Sequence, residues 1–313
     1  MRKNRKRITA LVLCVAITAL SLCVPVGAAA APGDAAPPGS MSRVAPPSGE
    51  VAYSLRGVPT RSVSAYTART VYYNSTSLGR IGRVINGTEY VAIRAFVEGI
   101  GAARVTYSSA SRTITLTGGG HNVSVSDGAY ALYADGRVFF ESTPSVILSD
   151  GRMYVPASLL ARALSLTDST AADGSVRMSG TARAVTPGRV YYAEDAVYWL
   201  SRIISAESKG EPLIGQIAVG NVVLNRVRSS AFPSTIYGVI FDRKYGVQFS
   251  PTSNGTIYST PTATSILAAK ICLDGFTVSE DVLYFLRPSA STSSWIVQTR
   301  PYLFTIKNHY FFA

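Results

Sequence analysis

The chain has 313 residues, 47% of them hydrophobic and 15% charged, and a formal net charge of +12. That length and apolar content permit ordinary hydrophobic cores and exclude a chain disordered throughout. Three cysteines exclude a disulfide-stapled scaffold, and two histidines, His121 and His309, exclude a histidine-rich metal centre.

Arg2, Lys3, Arg5, Lys6 and Arg7 precede an apolar run from Ile8 to Val24, and Gly27-Ala28-Ala29-Ala30-Ala31 follows with small residues. This is the pattern of a secretion signal over residues 1–31, cut near Ala30 or Ala31, which makes the protein extracytoplasmic. A retained signal anchor is the alternative, because the run approaches a membrane-spanning length. Removal of the leader takes away Cys14, Cys23 and five positive charges, leaving Cys272 alone and a net charge of +7. A basic exported protein suits anionic envelope polymers. No nucleic-acid recognition motif is present, and no nucleic-acid partner is expected.

Residues 32–70 are rich in Pro, Ala, Ser and Gly, as in Ala36-Pro37-Pro38-Gly39-Ser40. They bury too little apolar surface to fold and read as a linker. Residues 71–183 hold an internal repeat. Asn86-Gly87-Thr88-Glu89-Tyr90-Val91-Ala92 returns 64 residues later as Asp150-Gly151-Arg152-Met153-Tyr154-Val155-Pro156. Asn-Gly and Asp-Gly predict tight hairpins. A short helix follows each, Ile93 to Gly99 and Ala157 to Leu164, and then a strand, Arg112 to Thr117 and Ser175 to Ser179. Asp135-Gly136 predicts a further hairpin between the copies. A duplicated hairpin, helix and strand implies an α+β module. The run Val84-Ile85-Asn86-Gly87-Thr88-Glu89-Tyr90-Val91-Ala92-Ile93-Arg94-Ala95-Phe96, continued through Thr106 to Ile114, resembles the copper amine oxidase N-terminal-like domain. That resemblance implies an accessory module for binding an envelope polymer. No metal is assigned, and His121, after Gly118-Gly119-Gly120, reads as a loop residue.

Residues 184 to about 190, around Thr186-Pro187-Gly188, read as a second short linker at the head of the last domain, 184–313. Apolar helical stretches dominate that domain: Ala193 to Ser208, Ile214 to Arg228 and Thr262 to Leu273. Tyr284 to Leu286 reads as a strand, and Gly215 and Gly220 as points of close helix packing. In the first helix Val197, Leu200, Ile204, Glu207 and Glu211 share one stripe. A carboxylate therefore continues an apolar face. Gly210 and Pro212 end the helix near there and put Glu207 in its last turn. Desolvation and the helix dipole both favour the protonated form of Glu207. Such a group suits proton donation to a glycosidic oxygen. The competing reading is a glutamate that reaches solvent or pairs with Lys209 or Arg226.

The blocks Ala206-Glu207-Ser208-Lys209-Gly210-Glu211-Pro212, Gly215 to Gly220, Asn221 to Val227, Phe232-Pro233, Gln248-Phe249-Ser250 and Ile306 to Phe311 occur in order. Residues 194–313 thereby resemble the catalytic domain of the spore-cortex-lytic and cell-wall hydrolase family. The resemblance implies a mainly α, lysozyme-like domain and a peptidoglycan or spore-cortex glycan as substrate. It implies cleavage between N-acetylmuramic acid and N-acetylglucosamine, by lytic transglycosylation, without a cofactor. On the matching position, Glu207 is the catalytic acid and Glu211 a supporting carboxylate. Gln248 and Ser250 are candidates for holding sugar hydroxyls or amides, or for satisfying their own loop. Trp295, with Tyr284 and Tyr302, is a candidate for stacking on sugar rings. Asn225 and His309 read as internal hydrogen-bonding residues. A Cys272–His309 pair is the rival nucleophilic constellation, against which stands the apolar helix around Cys272. The alternatives in function are a water-using muramidase and a non-catalytic wall-binding or spore-coat protein.

Overall fold

A computed structural model describes residues 66–288 and 294–313. The expected leader and nearly all of the 32–70 linker lie outside these residues. The linker expectation ends too late, because Thr67–Arg69 forms strand β1 and pairs with Gly82–Ile85. An extended segment of any composition is ordered once its backbone joins a ladder.

Strands β2 (Val71–Tyr73) and β3 (Thr76–Ser77) lead into the first copy of the repeat. There β4 (Gly82–Ile85) and β5 (Thr88–Ala92) form a hairpin, followed by α1 (Ile93–Gly99). The connecting Asn86 and Gly87 both have positive φ, 50° and 82°, the twist a two-residue hairpin needs. Strands β6 (Arg104–Ser108), β7 (Thr113–Gly118), β8 (His121–Ser126), β9 (Ala131–Ala134) and β10 (Arg137–Phe140) continue as an antiparallel meander. The second copy supplies β11 (Val146–Ile147), β12 (Met153–Pro156), α2 (Ala157–Ala163), β13 (Thr167–Thr170) and β14 (Val176–Ser179).

The two copies share one sheet, ordered β1-β4-β5-β12-β11. Val91 faces Val155, with Ala92 opposite Tyr154 and Tyr90 opposite Pro156. Equivalent residues of the repeat thus meet about a local two-fold axis. The short helices α1 and α2 bury Ile93, Phe96, Leu159 and Leu160 in the same core. Asp150-Gly151 departs from the expected tight turn. Only its glycine has positive φ, and the loop runs from Leu148 to Arg152, with the Asp150 carboxylate accepting from Arg152 N and the Tyr154 hydroxyl. His121 is also not a loop residue. It opens β8 opposite Gly118 and is buried, because three left-handed glycines complete the turn before it.

The C-terminal half is helical, so the whole is α+β. After α3 (Gly188–Tyr191) come α4 (Glu194–Ser208), α5 (Leu213–Arg228), α6 (Ile236–Ile240), α7 (Pro251–Asn254), a single 3-10 turn at Thr256–Tyr258, and α8 (Ala263–Leu273). Helix α5 is apolar on nearly every side and is almost wholly buried between α4 and α8. Gly220 is the contact point. A Cβ there would stand 2.7 Å from Cys272 Sγ and 2.9 Å from Ile204 Cδ1. Strand β15 (Tyr284–Leu286), helix α9 (Ser294–Thr299), β16 (Tyr302–Ile306) and β17 (His309–Phe312) complete the chain, the strands forming a sheet in the order β15-β17-β16.

Ala131, Val138 and Phe140 of the β9–β10 hairpin belong to the hydrophobic core of the helical half. Phe140 meets Phe276 edge-on at 4.7 Å. The expected linker around Thr186-Pro187-Gly188 is packed as well. Gly188 N donates to Asp135 O at 2.7 Å, and a Cβ on Gly188 would strike the Gly136 carbonyl. The absence of a side chain there lets the two backbones touch.

Candidate active site

Glu207 lies in the last turn of α4, with buried Leu200, Ile203 and Ile204 preceding it. Pro212, which disfavours helical geometry at the residue before it, opens α5, and Glu211 falls in the tight connection between the helices, its N–H bonded to Ser208 O at 2.8 Å. Glu207 is partly buried. Among the described residues none makes a hydrogen bond or an ion pair with its carboxyl, so neither Lys209 nor Arg226 is its partner. Burial raises its pKa from the usual carboxylate range to about 7. The carboxyl is therefore a proton donor near neutral pH that no neighbour holds in its ionised form.

A buried polar chain fixes this turn. Gln216 Nε2 donates to Glu211 O at 3.0 Å, and Ser265 Oγ donates to Gln216 Oε1 at 2.8 Å. Ser265 also shares a 2.8 Å contact with the Thr262 hydroxyl, and Thr262 N donates to Ser205 Oγ at 3.2 Å. The ends of α4 and the starts of α5 and α8 are thus bound together beside Glu207. Glu211 is buried and committed to the C-terminal hairpin. Its Oε2 accepts from Asn308 N at 3.3 Å and its Oε1 from Asn308 Nδ2 at 3.0 Å. Lys307 Nζ donates to Gly210 O beside it. Glu211 stands beside the candidate acid as an anchor.

The other expected residues lie elsewhere in the helical half. Gln248 donates to Gly246 O at 3.2 Å, so its amide serves its own loop. Ser250 is exposed and opens α7, which packs against α4. Trp295 is 51% exposed and meets Tyr284 edge-on at 5.9 Å, with the Arg300 guanidinium 5.2 Å from its ring. Tyr302 is exposed too. Asn225 bonds internally, donating to Ser279 O and Val282 O.

Two aromatic clusters were not expected from the sequence. Trp199, two turns before Glu207 on α4, gathers Tyr237, Phe241 and Tyr258 around it at 5.2 to 6.3 Å, and Tyr237 and Tyr258 are exposed. Arg226 is buried among Phe232, Phe249 and Tyr284, donates from Nε to Leu283 O at 2.8 Å, and has its pKa lowered to about 10 by desolvation. The signal for Arg226 was available: a cation at helical spacing with Val222 and Val223 on an apolar helix.

Cys272 is buried against Ile217 O and Asn221, and burial pushes its thiol well up, which disarms it as a nucleophile. His309 is buried against Phe285, with Nδ1 3.6 Å from Glu211 and its pKa lowered by burial. Among the described residues no group of three His, Cys, Asp or Glu side chains stands close enough to hold a metal ion.

Residues 210–312 match the family model described as Cell Wall Hydrolase, and residues 81–174 match the Copper amine oxidase N-terminal domain, so the chain carries both domains. Glu207 lies just ahead of the first match. A spore cortex-lytic enzyme of Bacillus cereus is 38% identical over 120 residues, 38% of this chain and 45% of that protein. One of Bacillus subtilis is 34% identical over the same share of this chain and 38% of its own length. The chain thus spans less than half the length of these relatives. A solved structure, the catalytic domain of the germination-specific lytic transglycosylase SleB from Bacillus anthracis, is 35% identical. The match covers 41% of this chain and 100% of that one, with a TM-score of 0.36.

Proposed function

We propose that this protein cleaves the glycan strand of peptidoglycan between N-acetylmuramic acid and N-acetylglucosamine, as a lytic transglycosylase outside the cytoplasm. The observation that carries the reading is Glu207: a partly buried carboxyl, without a partner among the described residues, with a pKa of about 7 at the end of helix α4. The names of the relatives, cortex-lytic and lytic transglycosylase, support the substrate class.

In this reading Glu207 gives its proton to the glycosidic oxygen as the bond to the muramyl C1 breaks. The carboxylate then takes a proton from the muramyl 6-hydroxyl, whose oxygen closes on C1 to form an anhydro ring, and Glu207 is again protonated. A retaining hydrolase would need a second free carboxylate near the first. Glu211, the nearest acid in the sequence, is occupied by Asn308, which favours the intramolecular attack. Trp295, and the exposed rings around Trp199, offer flat apolar faces to sugar rings. The 71–183 module holds the enzyme to the envelope.

The test is digestion of purified spore cortex and vegetative wall by the full chain, wild type and Glu207→Gln, with the fragments identified by mass spectrometry. Anhydro-muramyl ends from the wild type alone are expected. Reducing ends would replace transglycosylation by hydrolysis. Undiminished cleavage by Glu207→Gln would remove Glu207 from its role, and no cleavage by folded wild type would leave a wall-binding protein.

A further inference from the structure

Between the β9–β10 hairpin, α2 and α8 lies a cavity of about 620 Å³ whose lining includes Arg137, Phe139, Arg162, Arg183 and Asp274. Three arginines and a single aspartate line it. That carboxylate is fully used. Asp274 accepts from Arg137 Nε at 2.8 Å and from Arg137 Nη2, from Val138 N at 3.2 Å, and from the Tyr192 hydroxyl. Arg162 Nη2 is held at 2.8 Å by the carbonyl oxygen of Asp274, which orients it without neutralising it. The guanidinium carbons of Arg137 and Arg162 both lie 4.9 Å from the Phe139 ring centroid. Arg183 is exposed and makes no ion pair among the described residues.

Like charges gathered at one concave, partly dehydrated place repel, and an oxyanion offsets them with short charge-assisted hydrogen bonds. Guanidinium groups oriented by carbonyls and aromatic faces suit the planar carboxylate or the phosphate tetrahedron better than a flexible ammonium does. The cavity is separate from the Glu207 site. Thr262, the N-cap of α8, bonds Ser205 near Glu207, whereas Asp274 caps the other end of that helix. An eleven-residue helix spans about 16 Å.

We propose that this cavity is an oxyanion-binding site that takes a phosphate or carboxylate group carried by an envelope polymer. The site does not depend on the glycosidase reading, although a polymer held there would keep Glu207 within reach of nearby strands.

The test is calorimetric titration of the full chain at low salt with poly(glycerol phosphate) and, separately, with a phosphate-free, carboxylate-rich wall peptide, using inorganic phosphate as competitor. Wild type binds at least one probe, inorganic phosphate competes, and Glu207→Gln binds equally well. Arg183→Glu, at an exposed position, keeps its melting temperature and weakens binding by about tenfold or more, as loss of a charge-assisted contact should. Binding of the phosphate polymer alone assigns phosphate, and of the peptide alone, carboxylate. Binding of both assigns the shared oxyanion chemistry. No binding of either probe, or unaltered affinity in folded Arg183→Glu, overturns the proposal.

Discussion

At the end of α4 the Glu207 carboxyl meets protein on most sides and no hydrogen-bond partner among the described residues, so ionisation costs hydration that nothing nearby returns. Two consequences follow from a pKa raised from 4.5 to about 7. If Glu207 donates the proton, cleavage falls about tenfold per pH unit above its pKa, and a pH–rate profile of wild type reads that limb directly. Stability moves with it. The folded chain binds this proton more tightly than the unfolded chain does, so stability declines as pH rises from 4.5 to 7 and stays reduced above. The shift corresponds to about 3 kcal/mol as an upper bound. Glu207→Gln should therefore be more stable than wild type near pH 8 and similar near pH 4, as urea denaturation at both would show. Glu211 behaves differently. Its truncation to Ala strands Asn308 N beside a buried turn and costs about 2 kcal/mol, while turnover by the folded fraction persists. Loss of turnover without loss of stability would make Glu211 part of the chemistry.

At the scale of elements, the helix trio α4, α5 and α8 depends on one missing side chain. Gly220→Ala puts a methyl group against Cys272 Sγ and Ile204 Cδ1, and overpacking of this kind costs about 1–3 kcal/mol. Adding Cys272→Ala should recover part of the loss, and a double-mutant cycle with no coupling would contradict the contact. These helices were legible because their apolar runs are long and periodic, and two of the hairpins because Asn86-Gly87 and Asp135-Gly136 encode their turns locally. The β16–β17 hairpin was not legible as a whole. Its turn uses Lys307 at a φ of 47° with no glycine, and aromatics at Phe304, Tyr310, Phe311 and Phe312 blur the alternation that marks a half-buried strand. The polar chain beside Glu207 was invisible for a different reason. Ser265 and Gln216 are 49 residues apart, and only the close packing permitted by Gly220 brings their helices together.

In the whole molecule, a tethered arrangement of two bodies is what the proline-bearing segment near Pro187 suggests, and the structure has a joint instead. Arg137 and Asp274 meet with side-chain exposures of 14% and 0%, and Tyr192 and Val138 complete the carboxylate's shell. Nothing local in the sequence marks Asp274 for this. It looks like an ordinary helix-ending aspartate, and its partner lies 137 residues earlier. Burying such a pair is worth little by itself, because both charges lose their hydration, but removing one partner leaves the other charged in a dry place. Asp274→Asn should cost about 3 kcal/mol or more, and the loss should fall on the joint, because each half keeps its own hydrophobic cluster. Calorimetry should then show a single transition in wild type splitting into two in Asp274→Asn. Reversing the charge at the partner as well, Arg137→Asp with Asp274→Arg, tests whether pairing or shape holds the halves together. Restoration of one transition identifies the ion pair, whereas a persistent split would place the cohesion in Phe140 and Phe276 and in the backbone contact at Gly188.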